Sequence, residues 1–319
     1  MGKYSGSETW QDVVPIPQDD GGPNPLAAIA YTEDYSEAMS YLRAVMADNE
    51  KSERALSLTE DIIVMNPAHY TVWLYRADVF FALEKDPLQE LDWLNKISLK
   101  YLKNYQIWHH RQLIMTKIPS IPPTELPFLA QMFEKDSKNY HVWSYRQWLV
   151  RHFSLWDDEL PYLESLLEED VRNNSAWNHR WFVVFSRYVD PSAGTGADAA
   201  AIKADPEIVA REMEYAKAKI RLAPQNQSPW NYLRGVVKKR EGGLAVLRAF
   251  AEEFADLARE DEVRSSHALD LLADVYAAEK EEEQAGKALE LLARKYDPIR
   301  KNYWNYRRGL LGLKEVEVE

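Results

Sequence analysis

"KNYQIWHHR" at 103–111 returns 35 residues later as "KNYHVWSYR" at 138–146, and this recurrence decides the fold. Each copy carries a Trp followed three positions on by an Arg. The same signature, with a spacing of three or four, stands at Trp73 ("WLYR"), Trp177 ("WNHR"), Trp230 ("WNYLR") and Trp304 ("WNYR"). The first four tryptophans are 35, 35 and 34 residues apart, and six of the chain's 11 Trp lie on the signature. A period of this length belongs to stacked supersecondary units, each needing its neighbours to bury its apolar face.

Within a period the text reads helix, turn, helix. After Trp108 comes "HHRQLIMTKI", then "PSIPP", whose prolines cannot continue a helix, then "TELPFLAQMFEKDSKN". Leu126, Leu129, Met132 and Phe133 recur at three- and four-residue steps, one face of a second helix. Leu160, Leu163, Leu166 and Leu167 repeat that pattern before Trp177. Extended alternating segments are nearly absent. The expectation is an all-α solenoid of antiparallel helical hairpins, about 34–35 residues per repeat, spanning 31–319. Residues 1–30 are expected to be an extended Pro/Gly-rich arm, since 11–25 hold four Pro and two Gly. The 53-residue step from Trp177 to Trp230 contains "DPSAGTGADAAAIKADP" (190–206), read as a loop insertion of about 18 residues. The 74-residue step to Trp304 holds helical text in which the Trp signature has decayed.

Composition narrows the function. A formal net charge of −12 speaks against a nucleic-acid partner. With no Cys there is no disulfide, thiolate zinc site or cysteine nucleophile in this chain. No signal peptide and no apolar run approaching 18 residues is found, so no membrane insertion is expected and a cytoplasmic location is. The seven His lack the spacing of a metal set, and no metal site is expected in this chain. His109, His110 and His179 alternate with Tyr and Asn inside the signature, which reads as packing. The signature Trp reads as core, and its Arg as a brace on a neighbouring turn or carboxylate.

The residues just before each Trp differ in kind. "KNYQIW", "KNYHVW" and "RNNSAW" open the first helix of each hairpin, where free backbone N–H groups favour anions. Stacking would align Lys103, Lys138 and Arg172 in a cationic row interleaved with Tyr105 and Tyr140. Such a row suits a diphosphate beside an apolar tail. For Asn104 and Asn139, helix capping is the competing role.

"KNYQIWHHRQ", "KNYHVWSYRQW", "EDVRNNSAWNHRWFV" and "NQSPWNYLRG" resemble successive repeats of protein prenyltransferase α subunits, in the form shared by farnesyltransferase and geranylgeranyltransferase type I. The arm "WQDVVPIPQDDGGPNPLAAIAY" (10–31) is similar to that family's N-terminal segment. The resemblance implies a right-handed crescent of helical hairpins wrapped around a β subunit that carries zinc; magnesium is implied for farnesyl transfer. It implies transfer of a farnesyl or geranylgeranyl group from its diphosphate to the cysteine of a C-terminal CaaX motif, as on small GTPases. By the same resemblance Lys103 matches a lysine at the diphosphate and Tyr105 a tyrosine near the reacting end of the isoprenoid. Gln106 matches a glutamine on the peptide's terminal carboxylate, and Tyr140 and His141, with Asn139 beside them, match a diphosphate-proximal group. The insertion at 190–206 departs from the family pattern. A tetratricopeptide-type scaffold shares the period, but Gly is missing from 26–190. The α subunit of Rab geranylgeranyltransferase shares the repeats but lacks this type of arm.

Overall fold

The computed structural model describes residues 2–22, 24–187, 205–240 and 242–316. All its regular elements are helical, with no strand among the described residues. The chain divides into two compact units, Met1–Ser154 and Leu155–Glu319, a division the even period does not announce.

In the first unit seven helices follow in order: α1 (Glu33–Ala47), α2 (Glu53–Met65), α3 (Tyr70–Ala82), α4 (Pro87–Lys100), α5 (Tyr105–Met115), α6 (Glu125–Lys135) and α7 (Tyr140–Phe153). The second unit opens with α8 (Glu159–Glu169), α9 (Asn174–Ser186), α10 (Pro206–Leu222) and α11 (Gln227–Val237). The signature tryptophans stand on α3, α5, α7, α9 and α11 and on the terminal helix Lys301–Leu310, and all six are buried. Each large indole fills the space between helices.

A second register holds the helices together. The signature Arg reaches the first-turn Glu of the next helix in a bidentate pair: Arg76 to Glu90 at 2.7 Å through both Nε and Nη2, and Arg111 to Glu125 at 2.8 and 2.5 Å. The same carboxylate then meets the residue two after the next Trp, as in His110–Glu90 at 2.8 Å and Tyr145–Glu125 at 2.7 Å. In the second unit Arg180 and Tyr232 both meet Glu212, each at 2.7 Å. One buried carboxylate thus ties three successive helices. The brace expected of the Arg is this carboxylate, and the expected packing role of His110 and His179 is its continuation, since His179 lies 2.6 Å from Glu159.

The stitch also measures the insertion. Arg and Glu stand 14 residues apart in the two first-unit pairs and 32 apart for Arg180 and Glu212, an excess of 18. Most of 190–206 lies outside the described residues; its end, Asp205–Pro206, caps and opens α10.

The N-terminal arm is not extended throughout, contrary to the expectation for 1–30. Tyr4 and Trp10 are buried against Tyr41, with ring centroids 5.4–5.5 Å apart. Glu8–Trp10 forms a 3-10 turn, Lys3 pairs with Asp61 at 2.5 Å, and Arg54 grips Asp12 at 2.6 Å. Three aromatic rings anchor this stretch, while the Pro-rich text behind it, 11–30, has none. Val14, Leu26 and Ile29 are exposed there.

Candidate functional site

The edge of interest is formed by the starts of α3, α5 and α7. Asn caps open α5 and α7 because a short side-chain oxygen can accept from the first free N–H groups. Asn104 Oδ1 accepts from Ile107 N at 3.0 Å, and Asn139 Oδ1 accepts from His141 N and Val142 N at 3.0 and 3.4 Å. Their amide groups also link repeats: Asn104 Nδ2 donates to Pro67 O at 2.9 Å and Asn139 Nδ2 to Leu102 O at 2.7 Å. Asn139 is 2% exposed, with both ends of its side chain occupied. Its visible work is to hold Tyr140 and His141 at the head of α7.

Tyr70, Tyr105 and Tyr140 hold the first position of α3, α5 and α7 and are 67%, 65% and 74% exposed. Large aromatics so exposed at three equivalent places form a row. Tyr105 stacks on His109 one turn along, with planes 11° apart, and meets His141 edge-on at 6.1 Å; Tyr140 meets His141 at 5.8 Å. Tyr105, His109, Gln112, Tyr140, His141 and Ser144 line a cleft of about 160 Å³ floored by Trp108 and Tyr145. Tyr105 and His109 also wall a second, largely apolar cleft of about 330 Å³, with Tyr70, Trp73, Leu74, Gln106 and Leu113. Gln106 stands at its polar end and donates from Nε2 to Ala68 O at 3.2 Å.

Lys103 lines neither cleft. Its side chain is 76% exposed, and its Nζ lies 3.5 Å from Asp136 Oδ2, a pairing worth little in water. His141 has its basicity pushed below the ordinary imidazole range by burial, so at neutral pH it is an uncharged ring with a polar edge.

Of the expected residues, Tyr105, Tyr140 and His141 converge on one cleft, Gln106 joins the neighbouring one, and Lys103 lines neither. Sequence reasoning missed two. Tyr70 was readable as the same helix-start position one period earlier. His109 was grouped with His110 and His179 as packing, but it is exposed, and only the buried pair meets carboxylates. Its periodic equivalents Leu74 and Ser144 also line the clefts, so in these three repeats the first position after the Trp faces outward and the second inward.

The family model described as the protein prenyltransferase alpha subunit repeat matches residues 52–83, 87–118, 122–153, 156–187 and 209–240. Each match spans one Trp-bearing helix and the helix before it, and in the last four that first helix carries the bridging carboxylate, Glu90, Glu125, Glu159 or Glu212. The protein farnesyltransferase/geranylgeranyltransferase type-1 subunit alpha of Candida albicans is 39% identical over 306 residues, 93% of this chain and 95% of that relative. The subunit of the same name from Dictyostelium discoideum is 36% identical, covering 95% of this chain and 92% of the relative. That from Solanum lycopersicum is 41% identical, covering 97% and 91%. Among solved structures, the Candida albicans protein geranylgeranyltransferase-I complexed with GGPP aligns with TM-score 0.82 and 38% identity, over 94% of this chain and 97% of that one.

Proposed function

This chain belongs to the protein prenyltransferase α-subunit family, in the form common to farnesyltransferase and geranylgeranyltransferase type 1, and from that premise we propose how its helix-start edge serves prenyl transfer. The chain pairs with a β subunit, and the pair moves a farnesyl or geranylgeranyl group from its diphosphate to the cysteine thiolate of a CaaX protein. The observation that carries this reading is the convergence of Tyr105, Tyr140 and His141 on one cleft, with Lys103 two residues before Tyr105 in the turn that leads into α5.

In this reading Lys103 faces the diphosphate. As the C1–O bond breaks, charge builds on the leaving group, and an ammonium there stabilises the transition state more than the ground state. Tyr105 presents its ring face beside the reacting carbon, braced by His109. Tyr140 and His141 give the diphosphate side of the cleft a polar edge, fixed by Asn139 beneath. Gln106 offers its amide to the peptide's terminal carboxylate. Zinc and magnesium are assigned in this reading to the partner's side. Among the described residues no helix is long and apolar enough to cross a membrane; we place the enzyme in the cytoplasm.

The test is transfer of labelled isoprenoid to a CaaX peptide by this chain co-purified with a farnesyl- or geranylgeranyltransferase β subunit. Transfer with either partner is expected; an assembled complex that transfers nothing would overturn the reading.

A further inference from the structure

The turn that bears Lys103 is built unlike its counterparts. In four other repeats the residue before the Trp helix closes the turn by donating its N–H three residues back. His69 N bonds Asn66 O at 3.3 Å, Asn139 N bonds Asp136 O at 3.1 Å, and Asn173 N bonds Asp170 O and Asn226 N bonds Ala223 O at 2.9 Å. Asn104 N makes no such bond to Tyr101. In the same four repeats the indole N–H donates to the carbonyl six residues earlier at 2.8–2.9 Å. Trp108 Nε1, in a residue only 5% exposed, has no partner. The cap is rotated as well: φ is −117° at Asn104 against −64°, −71° and −83° at Asn139, Asn173 and Asn226.

Residue 101 accounts for the difference. Asn66, Asp136 and Asp170 stand at this place in other repeats and accept from the N–H two residues on, pinning Ala68, Lys138 and Arg172. Tyr101 has no oxygen within that reach and points its hydroxyl back to Val64 O at 2.9 Å. The turn at Ala223 also lacks Asn or Asp, but Pro224 fixes its backbone, whereas Leu102 does not.

We propose that Tyr101 is a positioning residue: it keeps the Tyr101–Asn104 turn open so that Lys103, parked loosely on Asp136, can follow the leaving diphosphate. This rests on the assignment of Lys103 to the diphosphate. A pinned turn would confine Lys103 as Asp136 confines the backbone of Lys138. Tyr101 touches no reactant; it acts through the freedom it leaves to Lys103.

The experiment uses the intact complex with its β subunit. In the parent, the indole N–H of Trp108, assigned through Trp108→Phe, should resonate upfield of those of Trp73 and Trp143, as an unbonded donor does. Tyr101→Asn and, by a separate route, Leu102→Pro should close the turn, shift that signal downfield, and slow single-turnover transfer roughly 3- to 30-fold, the worth of one or two ordinary hydrogen bonds. Geranylgeranyl diphosphate affinity should move less than about 3-fold, and Tyr101→Phe should transfer like the parent. A parent Trp108 signal already downfield with the others, a closed variant with parent-like rate, or equal slowing in Tyr101→Phe would each overturn the proposal. Lys103→Ala separates the two layers. If it transfers normally, the Lys103 assignment fails; if it is slow while the closed variants are fast, only this inference fails.

Discussion

Lys103 and Lys138 occupy the same place in successive repeats, and Asp136 separates them: it holds the backbone N–H of Lys138 at 3.1 Å and only grazes the Lys103 ammonium. Lys103→Ala is therefore expected to slow single-turnover transfer roughly 10- to 1,000-fold, as for loss of one charged donor to a transition state, with assembly intact. Lys138→Ala should be mild. Equal rates for both variants would reduce Lys103 to a surface charge. Gln106 makes a different demand, because a peptide carboxylate has to compete with Ala68 O for its amide. Gln106→Ala should raise KM for a CaaX peptide by the equivalent of about 1–2 kcal/mol and leave isoprenoid affinity unchanged. An unaltered peptide KM removes Gln106 from the peptide site. Both lysines were legible in the sequence as helix-start cations. The contrast between them was not, since it depends on which neighbour each turn bonds.

Between helices, the recurring unit is a carboxylate buried among its partners, which periodicity alone reads as solvent-facing. Glu125 is 1% exposed and Arg111 equally so, yet nothing in "TELPFL" marks its Glu as interior. Arg111→Met should cost about 3–5 kcal/mol in urea unfolding, because it strands a buried charge. Adding Glu125→Leu should recover much of that loss; a double variant no more stable than the single one argues against the stitch. Repeats alternate His and Tyr on this carboxylate, and the choice carries a pH dependence. Burial is the largest influence on His110 and holds its pKa below the ordinary 6.5. The unfolded chain then binds the proton more readily, so the stabilisation is complete above pH 6.5 and declines as pH falls through the lower folded value. Burial opposes ionisation of Glu90, but hydrogen bonds from His110 and Arg76 outweigh it and leave its pKa below 4.5, adding a further loss in more acid solution. His110→Tyr, copying Tyr145, should stay within roughly 1 kcal/mol of the parent at pH 7 and lose less stability between pH 6.5 and 4.5. Parallel acid profiles for the two would contradict this.

Across the whole molecule, the Trp period makes the repeat class and the length of the insertion legible in the sequence. The segment where the signature decays was readable only as helical text. There the helix Ser266–Ala278 carries no Trp, but Asp270 and Asp274, one turn apart, each pair with both Arg234 and Arg307. Two signature arginines meet on an element that has lost the signature, which pattern matching cannot see because the partner is charge rather than an indole. The exposed row of Tyr70, Tyr105 and Tyr140 raises the last question, since large rings standing at 65–74% exposure favour a covering surface. Obligate subunit interfaces commonly bury about 2,000 Å² or more, and a cleft with walls from one side only cannot exclude water from a reacting diphosphate. The isolated chain is thus expected to transfer no isoprenoid and to show rapid amide exchange at the starts of α3, α5 and α7. Addition of the β subunit should slow exchange at those three starts together and restore transfer. Transfer by the lone chain, or exchange at the three starts that the partner leaves untouched, would show that this edge does not face the partner.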